Sequence, residues 1–127
     1  MYQVITYKDR AGKDEVAEYI QELNAKMATS KDAKIKYSKI IRYIDRLRTY
    51  GVAIGEPTLK HIRNTELWEL RPLNDRIFFA YWKDDVFVLL SHFVKKTQKT
   101  PQREIERAER NLEDFLERYG ESHEHDH

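Results

Sequence analysis

No cysteine occurs in the sequence, so the fold has neither a disulfide staple nor a thiolate metal site to draw on. That usage fits a reducing, cytoplasmic setting. Only 3 prolines and 4 glycines occur in 127 residues, which excludes collagen-like and low-complexity architectures. No glycine-rich phosphate loop and no zinc-ligand spacing lies ahead of the last few residues. No apolar run approaches the ~20 residues needed to span a bilayer. The opening MYQVITYKDRAGKDEV has no apolar stretch with a basic flank, so it does not read as a signal peptide. The expectation is a soluble, cytoplasmic protein with no membrane partner.

What is abundant is charge. Charged residues make up 35% of the chain and hydrophobic residues 40%, the balance of a globular protein with a heavily charged surface. The length suits one domain with its own core. The net charge of +1 conceals segregation. Between 31 and 48 stand Lys31, Lys34, Lys36, Lys39, Arg42, Arg46 and Arg48, against only Asp32 and Asp45. Lys95, Lys96, Lys99 and Arg103 form a second basic run. Such runs suit a polyanion-facing side, although a solvated face is the blander reading.

Periodicity predicts the order β-α-α-β-β-β-α, an α+β fold. A β-prone stretch at Val4, Ile5 and Tyr7 ends at a turn around Gly12. Val16, Ile20, Leu23 and Met27 recur at helical spacing, as do Tyr37, Ile40, Ile41, Ile44 and Leu47 after a break at 28–30. These read as an antiparallel helical hairpin closed by Gly51. Residues 52–66 read as a loop with room for one short strand over 59–62. Strands follow at 67–73, 76–82 and 86–94, with a tight turn at Asn74 and Asp75. Thr100 and Pro101 read as a hydroxyl cap and first helical residue of a last helix, which buries Ile105, Ala108, Leu112, Phe115 and Tyr119. Residues 1–120 thus form the domain. Residues 121–127, with His123, His125 and His127, are expected to be a disordered tail with no built metal site.

Strand alternation places Glu69 and Arg71 on one face and Trp68, Leu70 and Pro72 on the other. One end of the sheet is then expected to gather Arg71, Arg76, His92, Lys95 and Lys96. That set fits attack on a phosphodiester by a ribose 2′-hydroxyl. The reaction needs a base, positive charge for the developing phosphorane, and an acid for the leaving oxygen. Arginine's planar fork suits phosphate, and histidine titrates near neutrality. Lysine serves as base only where its surroundings lower its pKa. The structural alternatives are an Arg71–Glu69 ion pair and a partly buried, satisfied His92. Ser91 and His92 are adjacent, so their side chains point to opposite faces and do not make a serine–histidine pair.

The segments LWELRPL (67–73), DRIFF (75–79) and HFVKKTQKTP (92–101) resemble the phage-derived, HigB-type branch of the RelE/ParE toxin superfamily. The resemblance runs from the first strand to Gly120 and leaves out the histidine tail. It implies a compact sheet with an N-terminal helical hairpin, and cleavage of mRNA on the ribosome without metal or organic cofactor. It also implies neutralisation by a helix-turn-helix, HigA-like antitoxin, through which alone operator DNA would be contacted. By position, Arg76 resembles the family's arginine early in the strand after the hairpin turn. Lys95 or Lys96 resembles the basic position after the last strand, and Arg71 the arginine characteristic of this branch. The family's tyrosine after the last strand has no counterpart in 97–104, which leaves His92 as the candidate for proton transfer. Lys60 and Lys99 would hold the RNA backbone, and Lys36, Lys39, Arg42 and Arg46 ribosomal RNA. The superfamily also contains non-enzymatic, ParE-like gyrase inhibitors, and a degenerate toxin that only binds its antitoxin fits the same residues.

Overall fold

The computed structural model describes residues 1–120, so the tail expected at 121–127 lies outside it. The elements are β1 (Gln3–Thr6), α1 (Glu15–Lys26), α2 (Lys31–Tyr50), a 3-10 turn (Gly51–Ile54), β2 (Leu59–His61), β3 (Trp68–Leu70), β4 (Asp75–Tyr81), β5 (Val86–Val94) and α3 (Gln102–Tyr119). They form one five-stranded sheet in the order β1-β5-β4-β3-β2. β1 runs parallel to β5, and every other neighbouring pair is antiparallel. The short strand at Leu59–His61 forms the outer edge beyond β3, so the order gains one strand over the sequence expectation.

The helices divide between the two faces of the sheet. α1 and α2 cover one face, burying Val16, Leu23, Ile40, Ile44 and Leu47 against Leu70, Ile77, Phe79, Phe87 and Leu89. α3 covers the other, burying Ala108, Leu112 and Phe115 against Leu67, Phe78, Ala80, Val88 and Leu90. With both faces covered, β4 and β5 read as nearly continuous apolar runs. Each fully buried large apolar side chain contributes about 1.5–3 kcal/mol. Tyr119, expected on the buried stripe of α3, is 53% exposed.

Local chemistry sets the element ends. Asp14 caps α1 by accepting from the Ala17 amide, and Ser30 caps α2 by accepting from the Ala33 amide. Gly51 ends α2 at φ 63°, and a Cβ there would lie 2.8 Å from the Tyr2 ring. Asp84 and Asp85 both adopt positive φ (53° and 62°), which suits a tight hairpin turn between β4 and β5. The preceding turn differs from the expectation. Its left-handed residue is Leu73 (φ 56°), its closing bond runs from the Asp75 amide to the Pro72 carbonyl (3.0 Å), and Asp75 already belongs to β4. Thr100 does not cap α3 either. Pro101 holds the cap position, and the Thr100 hydroxyl is bonded elsewhere.

α3 is latched to the chain after β1 through Asp114. Its carboxylate accepts from the Tyr7 hydroxyl (2.6 Å), Arg10 Nε (2.6 Å) and Arg118 Nη2 (2.7 Å). These donors hold the acid well below its ordinary value near 3.8, at about 2, the Tyr7 hydrogen bond contributing most. Burial, joined by the same carboxylate, pushes the Tyr7 hydroxyl up to about 12. A depressed carboxyl stabilises the fold above its unfolded value, and that part is lost as pH falls through the folded one. Urea melts should therefore show stability declining from about pH 4 to about pH 2. Asp114→Asn should remove that part of the decline; an unchanged slope in the variant would mean the latch contributes nothing.

Candidate active site

The pleat of the central strands assembles a cationic cluster on the α3 side of the sheet. Glu69 in β3 stands opposite Lys60 in β2 and Phe78 in β4. Arg76 lies two residues before Phe78 on the same face, opposite Phe93 of β5. Lys95 continues that face two residues after Phe93. Glu69 is 1% exposed, and its environment accounts for both carboxylate oxygens. Oε1 lies 3.5 Å from Arg71 Nε and 3.9 Å from Arg76 Nε, and Oε2 accepts from the Thr100 hydroxyl at 3.0 Å. Arg76 Nη1 donates to the carbonyls of Leu73 (2.7 Å) and Asp75 (2.9 Å), so its guanidinium also closes the β3–β4 turn.

Above this cluster opens a cleft of about 830 Å³, lined by Arg71, Asn74, Arg76, Lys95, Lys96, Thr97 and Gln98. No acidic side chain is among its lining residues. Beneath it Lys60, Arg71, Arg76 and Lys95 surround the single carboxylate of Glu69, leaving the site net positive. Burial lowers the pKa of Arg76, with Glu69 opposing and Arg71 adding to the shift. Burial likewise lowers that of Lys95, and Arg76, Arg71 and Lys60 push the same way against Glu69. A phosphate entering here would meet arginine forks and a lysine whose pKa is lowered by its surroundings, groups suited to binding an anion.

His92 stands at the same sheet end but on the opposite face, which corrects the expectation that it meets the arginines. The cause is a β-bulge. Phe79 pairs with Leu89 and Phe78 with Ser91, so Leu90 is an extra residue. Its carbonyl accepts from Asn111 Nδ2 of α3 at 2.9 Å. Beyond the bulge the alternation is reversed: Ser91 and Phe93 turn towards α3, and His92 turns towards the helical hairpin. There its ring stacks on Tyr19 with centroids 3.7 Å apart. Its Nε2 contacts Asp75 Oδ1 at 2.9 Å, and the Tyr19 hydroxyl donates to the same oxygen at 2.8 Å. Asp75 is 1% exposed, and its Oδ2 has no partner among the described residues. Burial alone would raise the Asp75 carboxyl, but the His92 and Tyr19 hydrogen bonds together with the charges of His92 and Lys36 lower it. Burial, then Asp75, raises the Tyr19 hydroxyl.

Apart from Lys60, which stands opposite Glu69, the other basic residues are dispersed. Lys60 is exposed on the edge strand, and Lys96 and Lys99 on the segment after β5. Lys39 and Arg42 line a groove on the outer side of the helical hairpin with Lys31 and Lys34, and Arg46 lies further along α2. Lys36 is paired with Asp32 at 3.9 Å and its charge reaches Asp75 on the hairpin side. The sequence reading missed Glu69 as the hub of the cluster, together with Asp75, Tyr19 and Thr100. A glutamate between Trp68 and Leu70 in an otherwise apolar strand is the one signal that pointed to a buried charge.

The protein is a three-layer α+β domain with arginines and lysines converging on a cleft at one sheet end. Residues 13–113 match the family described as phage derived protein Gp49-like (DUF891), and the match includes every residue of the cleft. The chain belongs to this family, a family of RelE-like toxins. No curated protein matches the sequence. Among the described residues no helix is long and apolar enough to cross a membrane.

The two faces should respond differently to mutation. His92→Ala should cost about 1–3 kcal/mol by leaving buried Asp75 with the Tyr19 hydroxyl as its remaining side-chain donor, while binding of a non-cleavable 2′-O-methyl RNA oligonucleotide stays unchanged. Arg71→Ala should weaken that binding about 10-fold or more by removing a charge-assisted phosphate contact, with a smaller change in melting temperature. Thermal melts and calorimetric titration of both variants check this; a His92 variant that folds as the wild type but loses RNA binding would contradict the division.

Proposed function

We propose that this protein is the toxin of a toxin–antitoxin pair and acts in the cytoplasm as an endoribonuclease, cutting mRNA on the ribosome. The observation that carries the reading is the convergence of Arg71, Arg76 and Lys95 on one open cleft, where burial and the neighbouring cations lower the Lys95 pKa. Membership of a family of RelE-like toxins supports it. In this mechanism neutral Lys95 takes the proton of a ribose 2′-hydroxyl. The 2′-oxygen bonds to phosphorus while Arg71 and Arg76 stabilise the charge gathering on the phosphoryl oxygens. The bond from phosphorus to O5′ breaks, and protonated Lys96 gives that oxygen a proton. The products are a 2′,3′-cyclic phosphate and a 5′-hydroxyl, and no cofactor takes part.

In this reading His92 holds the β4–β5 end through Asp75 and does not touch the reacting phosphate. Lys60 and Lys99 bind the RNA backbone beyond the cleft. Lys36, Lys39, Arg42 and Arg46 of α2 meet ribosomal RNA, an association that should weaken steeply with salt. A helix-turn-helix antitoxin covers the toxin in the resting cell and alone contacts operator DNA. The distance of His92 from the arginines favours one rival, a ParE-like gyrase inhibitor that needs no proton transfer.

The two readings part on Lys95. Brief induction of the wild-type chain in a bacterial host should create new RNA 5′ ends confined to translated regions. Lys95→Met keeps the length of the side chain without its charge and should reduce their formation about 10²–10⁴-fold. New ends formed undiminished by Lys95→Met would remove the proposed base. Growth arrest with unchanged RNA ends would instead indicate the gyrase-directed binder.

A further inference from the structure

The central strands bury a carboxylate beneath a cation-lined cleft. Glu69 is on β3, 1% exposed, and surrounded from every neighbouring element: Lys60 of β2, Arg71 after β3, Arg76 of β4, Lys95 after β5 and Thr100 before α3. Each of its oxygens has a distinct task. Oε1 faces the Nε atoms of both arginines, at 3.5 and 3.9 Å, and Oε2 takes the Thr100 hydroxyl at 3.0 Å. The arginines approach Glu69 through their Nε sides. Among the described residues, no protein acceptor takes a hydrogen bond from the terminal nitrogens of Arg71, so its fork is left for a ligand. The Thr100 bond fixes the far end of the segment that carries Lys95 and Lys96, since α3 begins two residues later.

We infer that Glu69 is a positioning residue: one buried carboxylate that turns the Arg71 fork towards the cleft beside Arg76, whose guanidinium the Leu73 and Asp75 carbonyls hold, ties the lysine-bearing segment down through Thr100, and offsets part of the positive charge around Lys95. It touches no substrate and acts through its three partners. The inference rests on the reading of the cleft as a phosphodiester site for its chemical purpose, but not for its test. Without the carboxylate, the repulsion among Lys60, Arg71, Arg76 and Lys95 is unopposed within the cluster. Asp75, the other acid near Arg76, projects to the opposite face.

The experiment is an NMR titration of the full chain labelled at lysine Cε and arginine Nε, in wild type, Glu69→Gln and Thr100→Val. Lys95→Arg assigns the lysine signal. In Glu69→Gln, Lys95 should titrate at lower pH than in wild type, and the Arg71 Nε–H should lose its order. Thr100→Val keeps the charge and should leave the Lys95 titration in place. If Glu69→Gln does not fold, Glu69→Asp, which withdraws the carboxylate by one methylene, should shift Lys95 in the same direction by less. Coincident Lys95 titrations in the wild type and the folded Glu69 variant would overturn the inference, as would a Thr100→Val shift as large as that of Glu69→Gln. The readout needs no ribonuclease activity, so failure to cut RNA would count against the proposed function alone.

Discussion

Burying a single carboxylate within a sheet constrains everything around it. Glu69 is almost fully enclosed, and an ion taken out of water costs several kcal/mol unless partners replace its hydration. Thr100 donates a hydrogen bond to it and the charges of Arg71 and Arg76 stand 3.5 and 3.9 Å away, with Arg76 and Thr100 each committed in a second way. Arg76 also closes the turn that starts β4, and Thr100 leads directly into α3. The cationic cleft is thus a consequence of how the fold satisfies one acid, with more positive charge than that acid can neutralise.

The β-bulge at Leu90 is the second constraint, and it decides which groups share a face. Strand β5 supplies apolar residues to both cores, and a regular strand would have turned His92 towards Glu69 and the arginines. One inserted residue, anchored by Asn111 of α3, sends it instead to Asp75 and Tyr19. The same sheet end therefore carries two polar networks back to back. One is open and cationic; the other is closed, aromatic and acidic. They meet at consecutive residues of β4, since Asp75 and Arg76 point to opposite sides and the Arg76 guanidinium bonds the Asp75 carbonyl.

Much of this was legible in the residues. Apolar spacing placed all three helices, and the β5 boundaries are those the pattern predicts. The pleat of β3 put Glu69 and Arg71 together, and their ion pair is present at 3.5 Å. What escaped were features set by long-range pairing. A bulge leaves no mark in the composition of residues 86–94, so the face of His92 was read wrongly from simple alternation. Thr100 looked like a helix cap because its local neighbours fit one, but a buried carboxylate 31 positions away competes better for its hydroxyl. The edge strand β2 was ambiguous because three residues are too short to show a period. Lys95 and Lys96 were indistinguishable in sequence; register alone sets Lys95 beside the arginines and leaves Lys96 exposed.

That the cleft cuts RNA is tested most directly with purified protein, translating ribosomes and an mRNA labelled at both ends. Attack by the 2′-oxygen with Lys95 as base must yield fragments ending in 2′,3′-cyclic phosphate and 5′-hydroxyl, only when ribosomes are present. Intact mRNA under these conditions, or fragments carrying 5′-phosphates, would contradict it.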